Sequence, residues 1–298
     1  MFFKDIIGND KQKEYLNQAI ENKKVLHSYL FVGATGIGKK IIAKEFARKI
    51  LCFENGLDTC NCKSCICFNG NSHPDFSILN EQDDTIKVDE IRELIKKVYE
   101  KPIISNKKVY IINEADKMTQ EAQNSLLKTL EEPPEFTTIL LITSNENAIL
   151  NTIKSRSLKV VFDNLNDDVL KEYLEVKLGF NNISDNMLKA FAGSIGTASK
   201  LYQNIELYTK IEQFVNKISS LNQIQLLKQG KVLYEKDIIK DVLDYFVVCL
   251  YSNGTKDIRY LNCIDYVVEA LEHFKYNSNF DMTLDNMLIK IAEEFSVN

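Results

Sequence analysis

The stretch HSYLFVGATGIGKKIIAKEFARKIL, residues 27–51, carries three local instructions in succession. YLFV is aromatic and aliphatic throughout, as a short buried strand is. IIAKEFARKIL places apolar side chains at helical spacing. Between them lies GATGIGKK, one residue away from the phosphate-binding pattern G-x-x-x-x-G-K-[S/T]. A glycine loop joining a strand to a helix N-terminus aims backbone amides and the positive end of the helix dipole at an anion. Gly33, Gly36, Gly38 and Lys39 therefore predict a phosphate site. The last position asks for a hydroxyl, whose oxygen holds the magnesium ion between the outer phosphates, and here it is Lys40.

The other half of such a site is an acidic residue at the end of a neighbouring apolar strand, and KVYIINEADKM, residues 108–118, supplies that strand. Asn113 stands where the magnesium-positioning aspartate belongs, followed by Glu114. Two degraded contacts to one ion point the same way. This reading expects phosphate binding to survive, with ATP or ADP as candidate ligands and no hydrolysis; a glycine-rich turn without a ligand is the bland reading beside it. The alternative is an active P-loop ATPase with altered metal ligation.

Working outward, the first 163 residues alternate β-rich runs with helical patterns, which predicts an α/β domain with a mostly parallel sheet. Further strands are expected at 76–79, 109–112 and 138–143, and helices at 88–99 and 119–131. Pro133 and Pro134 end the second helix. Beyond Asp163 the pattern is helical only, with no proline. The predicted organisation is a P-loop domain at 1–163, a small helical domain at 164–201 and a second all-α domain at 202–298.

A net charge of −5 argues against a nucleic-acid binder working alone, which would carry a basic surplus to replace counterions. No apolar run reaches the roughly 18 residues of a membrane helix, and the first residues lack a signal-peptide pattern, so a cytoplasmic chain is expected. Five of the seven cysteines, Cys52, Cys60, Cys62, Cys65 and Cys67, fall within sixteen residues. Such clustering reads as a metal site rather than a disulfide framework. Cys249 and Cys263 sit on apolar helical faces and read as core. His27 and His73 have no base or nucleophile partner and read as structural.

The segments FFKDIIGNDKQKEYLNQAI, HSYLFVGATGIGKK, HPDFSIL, VDEIREL, KVYIINEADKM, NSLLKTLEEPP, TTILLITSNENAIL and TIKSRS together resemble the clamp-loader branch of the AAA+ ATPases. The resemblance covers residues 2 to about 160 nearly continuously. It implies an AAA+ domain followed by a helical lid and a helical collar that assembles with other subunits. Hydrolysing members of that branch carry a sensor arginine in the second domain; the matching GSIGTAS segment has Gly196 at that place. Thr143 and Ser144 match the strand end that senses the γ-phosphate. Arg156 of TIKSRS matches the arginine that reaches across a subunit interface to a neighbour's nucleotide. The resemblance also implies tau/gamma and delta subunits as partners, and the sliding clamp and primed DNA through the assembled complex, where Lys107, Lys108, Lys154 and Lys159 are candidates to face DNA. Finally, it implies a structural zinc module inserted at about 52–67. The family spaces its ligands C-x8-C-x2-C-x2-C, whereas Cys52, Cys60, Cys62 and Cys65 are separated by seven, one and two residues. Cys67 thus competes with Cys60 for the fourth place.

Overall fold

A computed structural model describes residues 3, 6–54, 57, 60–80, 84–276 and 278–296. Positions 55, 56, 58 and 59 of the cysteine-rich segment lie outside the described residues. The chain divides into two compact units, Met1–Leu165 and Asn166–Asn298.

In chain order the first unit comprises α1 (Asp10–Glu21), β1 (Ser28–Val32), α2 (Lys39–Leu51), α3 (Lys63–Asn69), β2 (Phe76–Leu79), α4 (Val88–Val98), β3 (Lys108–Ile112), α5 (Gln120–Glu131), β4 (Thr137–Thr143), α6 (Asn151–Lys154) and β5 (Leu158–Val161). The strands form one sheet in the order β2-β3-β4-β1-β5, and every pairing is parallel. Their side chains alternate between two cores. Tyr29, Phe31, Val109, Ile111, Leu140 and Ile142 join Leu16, Ile42 and Phe46 on one face. Leu30, Tyr110, Ile112, Ile139 and Leu141 join Ile91, Leu94, Leu126 and Leu130 on the other. Covering both faces with helices is what makes these strands continuous apolar runs rather than alternating ones. The edge strand β5 was not among the expected strands; LKVV is short, with Lys159 exposed.

Sequence and structure part company at Lys108. Its side chain is buried, and its ammonium donates to the carbonyls of Lys97 (2.7 Å) and Glu100 (3.1 Å). It closes the C-terminal end of α4, where carbonyls lack helical partners, and is not a cation available to DNA.

The second unit is helical throughout its described residues: α7 (Asp167–Leu178), α8 (Asp185–Phe191), α9 (Ile195–Tyr202), α10 (Ile205–Val215), α11 (Gln223–Gly230), α12 (Ile239–Gly254), α13 (Arg259–Lys275) and α14 (Phe280–Ser296), joined by turns and short 3-10 segments. Side chains of Asn166, Ser184, Ser194 and Asn222 accept backbone N–H bonds at the starts of α7, α8, α9 and α11. Tyr245 and Ser184 both donate to the Glu212 carboxylate, tying α12 and the start of α8 to α10. Cys249 and Cys263 are fully buried, and burial pushes each thiol up to about 12. No helix of the described residues is long and apolar enough to cross a membrane.

Candidate functional site

Because all strands run parallel, the carboxyl ends of β1, β3 and β4 share one edge of the sheet, where open α/β sheets place their ligands. The glycine loop leaves β1 there and enters α2, with Gly36 (φ 77°) and Gly38 (φ 94°) in left-handed backbone conformations that favour glycine. At Gly33 a Cβ would lie 2.6 Å from the Phe162 carbonyl oxygen and 2.7 Å from Ile37 Cδ1, so no side chain fits. Lys39 is buried, and its ammonium donates to the carbonyls of Gly33 (2.7 Å) and Ala34 (2.6 Å) within the loop. Burial lowers its pKa, opposed by the charges of Glu114 and Asp116. Lys40 is half-buried at the first turn of α2, a second ammonium where the pattern wants an oxygen ligand.

At the end of β3, Asn113 is buried, and its amide donates to the Asn80 carbonyl (3.2 Å) while the Asn80 amide donates back to the Asn113 carbonyl (3.3 Å). This reciprocal pair links the ends of β2 and β3. Glu114 adopts a left-handed conformation (φ 47°), uncommon for a residue with a side chain. Thr143, at the end of β4, donates to Asp116 (2.6 Å) and accepts from the Asn145 amide. The Ser144 amide reaches the same Asp116 oxygen (3.3 Å). Thr143, Ser144, Glu114 and Asp116 thus form one polar cluster beside the loop. Gln123, which no motif singles out, is buried and donates to the carbonyls of Met118 and Ala148 while accepting from the Leu150 amide. It fastens α5 to the segment that leads into α6. Gly196 lies exposed in the first turn of α9 and contributes no charge.

Arg156 stands at the opposite edge. It follows α6 and immediately precedes Ser157, whose hydroxyl meets that of Ser28 at the start of β1 (2.7 Å). Since β1 runs from Ser28 to the glycine loop, the arginine is separated from its own loop by roughly the length of that strand, about 13 Å. Its Nη1 donates to the Thr152 carbonyl (2.9 Å) and the Ser155 hydroxyl (3.3 Å), and its Nη2 forms an ion pair with Glu131 (2.5 Å).

The cysteines occupy the segment between α2 and β2. The sulfurs of Cys52, Cys60, Cys62 and Cys65 lie within 4.8 Å of one another. Four thiolates at about 2.3 Å from a tetrahedral zinc ion stand roughly 3.8 Å apart, so a small contraction of this cluster closes it around a metal. Cys67 lies outside the group: α3 begins after Cys62, and two residues beyond Cys65 turn a side chain about 200° around a helix. The uneven acidity of the thiols follows from crowding. The Cys62 amide donates to the Cys60 sulfur and favours its thiolate, yet burial and the neighbouring thiols push Cys60 up to about 11. Burial raises Cys62 too, but amides of Cys65 and Phe53 and the adjacent thiols hold it at about 7. Burial, with Cys52 and Cys62 alongside, pushes Cys65 well up.

Below the cluster, Arg48 and Glu45 of α2 form a buried pair (2.7 Å), and the guanidinium also reaches the Cys65 sulfur (3.5 Å) and the Leu57 carbonyl (3.3 Å). Burial works against the Arg48 cation, and the Glu45 carboxylate outweighs it, so the charge stays beside the thiols. The Leu51 carbonyl accepts from both Ser64 (2.7 Å) and Ser105 (3.0 Å). His73 accepts from the Asp75 amide at Nδ1, which leaves Nε2–H to donate to the Ser64 hydroxyl. Asp75 in turn accepts from the amides of Ile103, Ile104 and Ser105 at 2.7–2.8 Å. HPDF is therefore an anchor for the cysteine segment, and burial lowers the His73 pKa.

Comparison with known proteins adds the family. A family model described as DNA polymerase III, delta subunit, matches residues 8–166. The delta' subunit of DNA polymerase III from Bacillus subtilis is 33% identical over 192 residues, 64% of this chain and 58% of that protein. The gamma/tau subunit from Mycoplasma pneumoniae is 36% identical over 175 residues, 58% of this chain and 25% of that protein. The chain thus spans between 25% and 58% of the length of these relatives. A solved Thermotoga maritima protein, related to the DNA polymerase III gamma subunit, superposes with a TM-score of 0.53 at 20% identity, over 95% of this chain and 99% of that one. That likeness concerns the fold alone, a parallel α/β sheet domain followed by helices.

Proposed function

The chain belongs to the DNA polymerase III delta-subunit family, and from that premise we propose that it works as a delta-prime-like subunit of a bacterial clamp loader. It takes part in placing the sliding clamp on primed DNA, as a member that does not hydrolyse ATP and that lends Arg156 to the nucleotide site of a neighbouring tau/gamma subunit. The observation that carries this reading is the position of Arg156. It lies at the amino edge of the sheet, away from its own loop at the carboxyl edge, so the nucleotide it serves belongs to another subunit. The chain's own loop supports nucleotide binding through backbone amides and Lys39, while Lys40 removes the hydroxyl oxygen that would hold magnesium and Asn113 replaces the carboxylate with a neutral, poorer ligand. Residues 164–201 act as the helical lid and 202–298 as the collar that joins the subunits.

The cysteine cluster fits zinc. Cys52, Cys60, Cys62 and Cys65 would hold it, with Arg48 as a neighbouring cation that favours thiolate over thiol. When bound, zinc supplies a closed structural staple for a segment too short for its own core. Arg48, Ser64, His73 and Asp75 fix the two ends of that segment to α2 and β2.

The reading is tested by mixing the purified chain with the tau/gamma and delta subunits of the same source. Co-elution as one complex, with clamp loading that requires this chain, is the expected result. A chain that elutes alone and can be omitted without loss of loading overturns it.

A further inference from the structure

We infer that Glu131 is a positioning residue for Arg156, holding the guanidinium in the orientation in which it meets a neighbour's phosphate. The inference rests on the trans-arginine reading above. Glu131 is the last residue of α5, and Pro133 and Pro134 fix where that helix stops. Its Oε1 lies 2.5 Å from Arg156 Nη2, while Thr152 and Ser155 hold Nη1. The guanidinium is thus tethered on one side by its own α6 and on the other by α5, which leaves Nε–H without an intramolecular partner among the described residues. An arginine restrained in this way loses less rotamer freedom on engaging a phosphate than one waving in solvent.

The alternative sign, a carboxylate that withholds the arginine, requires a strong pair. This one is not strong. The Arg156 side chain is 33% exposed and the Glu131 side chain 47%, and pairs so exposed to water contribute little to stability. A phosphate of higher charge can approach without breaking it. The pair orients the fork and does not lock it.

The test is a double-mutant cycle in the complex reconstituted from the full chain with its tau/gamma and delta partners, in which only the tau/gamma site facing this chain can hydrolyse, read as phosphate release at saturating ATP. Glu131→Ala lowers kcat about two- to fivefold, the range an exposed ion pair supports, with KM for ATP unchanged. Glu131→Gln, which keeps the shape and loses the charge, does the same, whereas a merely structural role spares Gln. In an Arg156→Ala background neither change has further effect. Unchanged or raised turnover with Glu131→Ala, while Arg156→Ala is impaired, overturns this inference alone. Full activity of Arg156→Ala overturns the trans-arginine reading itself. Co-elution of each variant with its partners establishes that a lost rate is not a lost complex.

Discussion

Arg156→Ala, introduced into an otherwise intact complex, is expected to lower ATP turnover at the neighbouring nucleotide site it is proposed to serve by about a thousandfold, with the subunits still co-eluting. The magnitude comes from the chemistry of phosphoryl transfer. Charge develops on the γ-phosphate oxygens, and a guanidinium already in place stabilises it without reorganising water. Assembly is spared because Arg156 contributes only a partly exposed ion pair and two local hydrogen bonds to its own fold. The measurement is phosphate release from a complex in which only the facing site can hydrolyse, since other sites would mask the loss. Arg156→Lys is expected to recover little, because a point charge lacks the planar fork.

The second large effect concerns the metal. Stripping the proposed zinc from the purified chain with a strong chelator is expected to cost the first unit about 4 kcal/mol or more, and to lower its melting temperature by roughly 10 °C. Elemental analysis should find one zinc per chain, lost on replacing Cys62 or Cys65 with serine and retained on replacing Cys67, which lies outside the cluster. The pH dependence has a definite sign. Binding requires thiolates, so each proton displaced makes affinity rise with pH and fall on acidification. Cys62, already held at about 7, gives up its proton most readily, whereas Cys60 and Cys65, pushed upward by burial and crowding, yield theirs only to the metal.

The parts legible in the sequence were those written in short range. Strand, glycine loop and helix follow one another within residues 27–51, and each is specified by its own composition, so β1 and α2 could be read without knowing their neighbours. Proline placed the end of α5 for the same reason. What escaped was set by distance. Whether Cys60 or Cys67 joins the cluster depends on α3 beginning after Cys62, which spacing alone does not reveal. Lys108 resembled any surface cation until α4 was seen to end above it. Asp75 drew no attention, although three amides some thirty residues away converge on its carboxylate. The pairing of Glu131 with Arg156 joined two quoted motifs, NSLLKTLEEPP and TIKSRS, whose adjacency only the fold supplies.

The glycine loop decides the role of the chain, because a chain that turns over ATP is a motor and one that does not is a scaffold for its neighbour's chemistry. The most direct measurement is titration of the phosphate-free chain with ATP, with and without magnesium, alongside a phosphate-release assay on the same sample. No magnesium-dependent release is expected, whether or not nucleotide binds to the loop. Release that requires magnesium and disappears with Lys39→Ala would contradict it, and would mean that Lys40 and Asn113 belong to a working site.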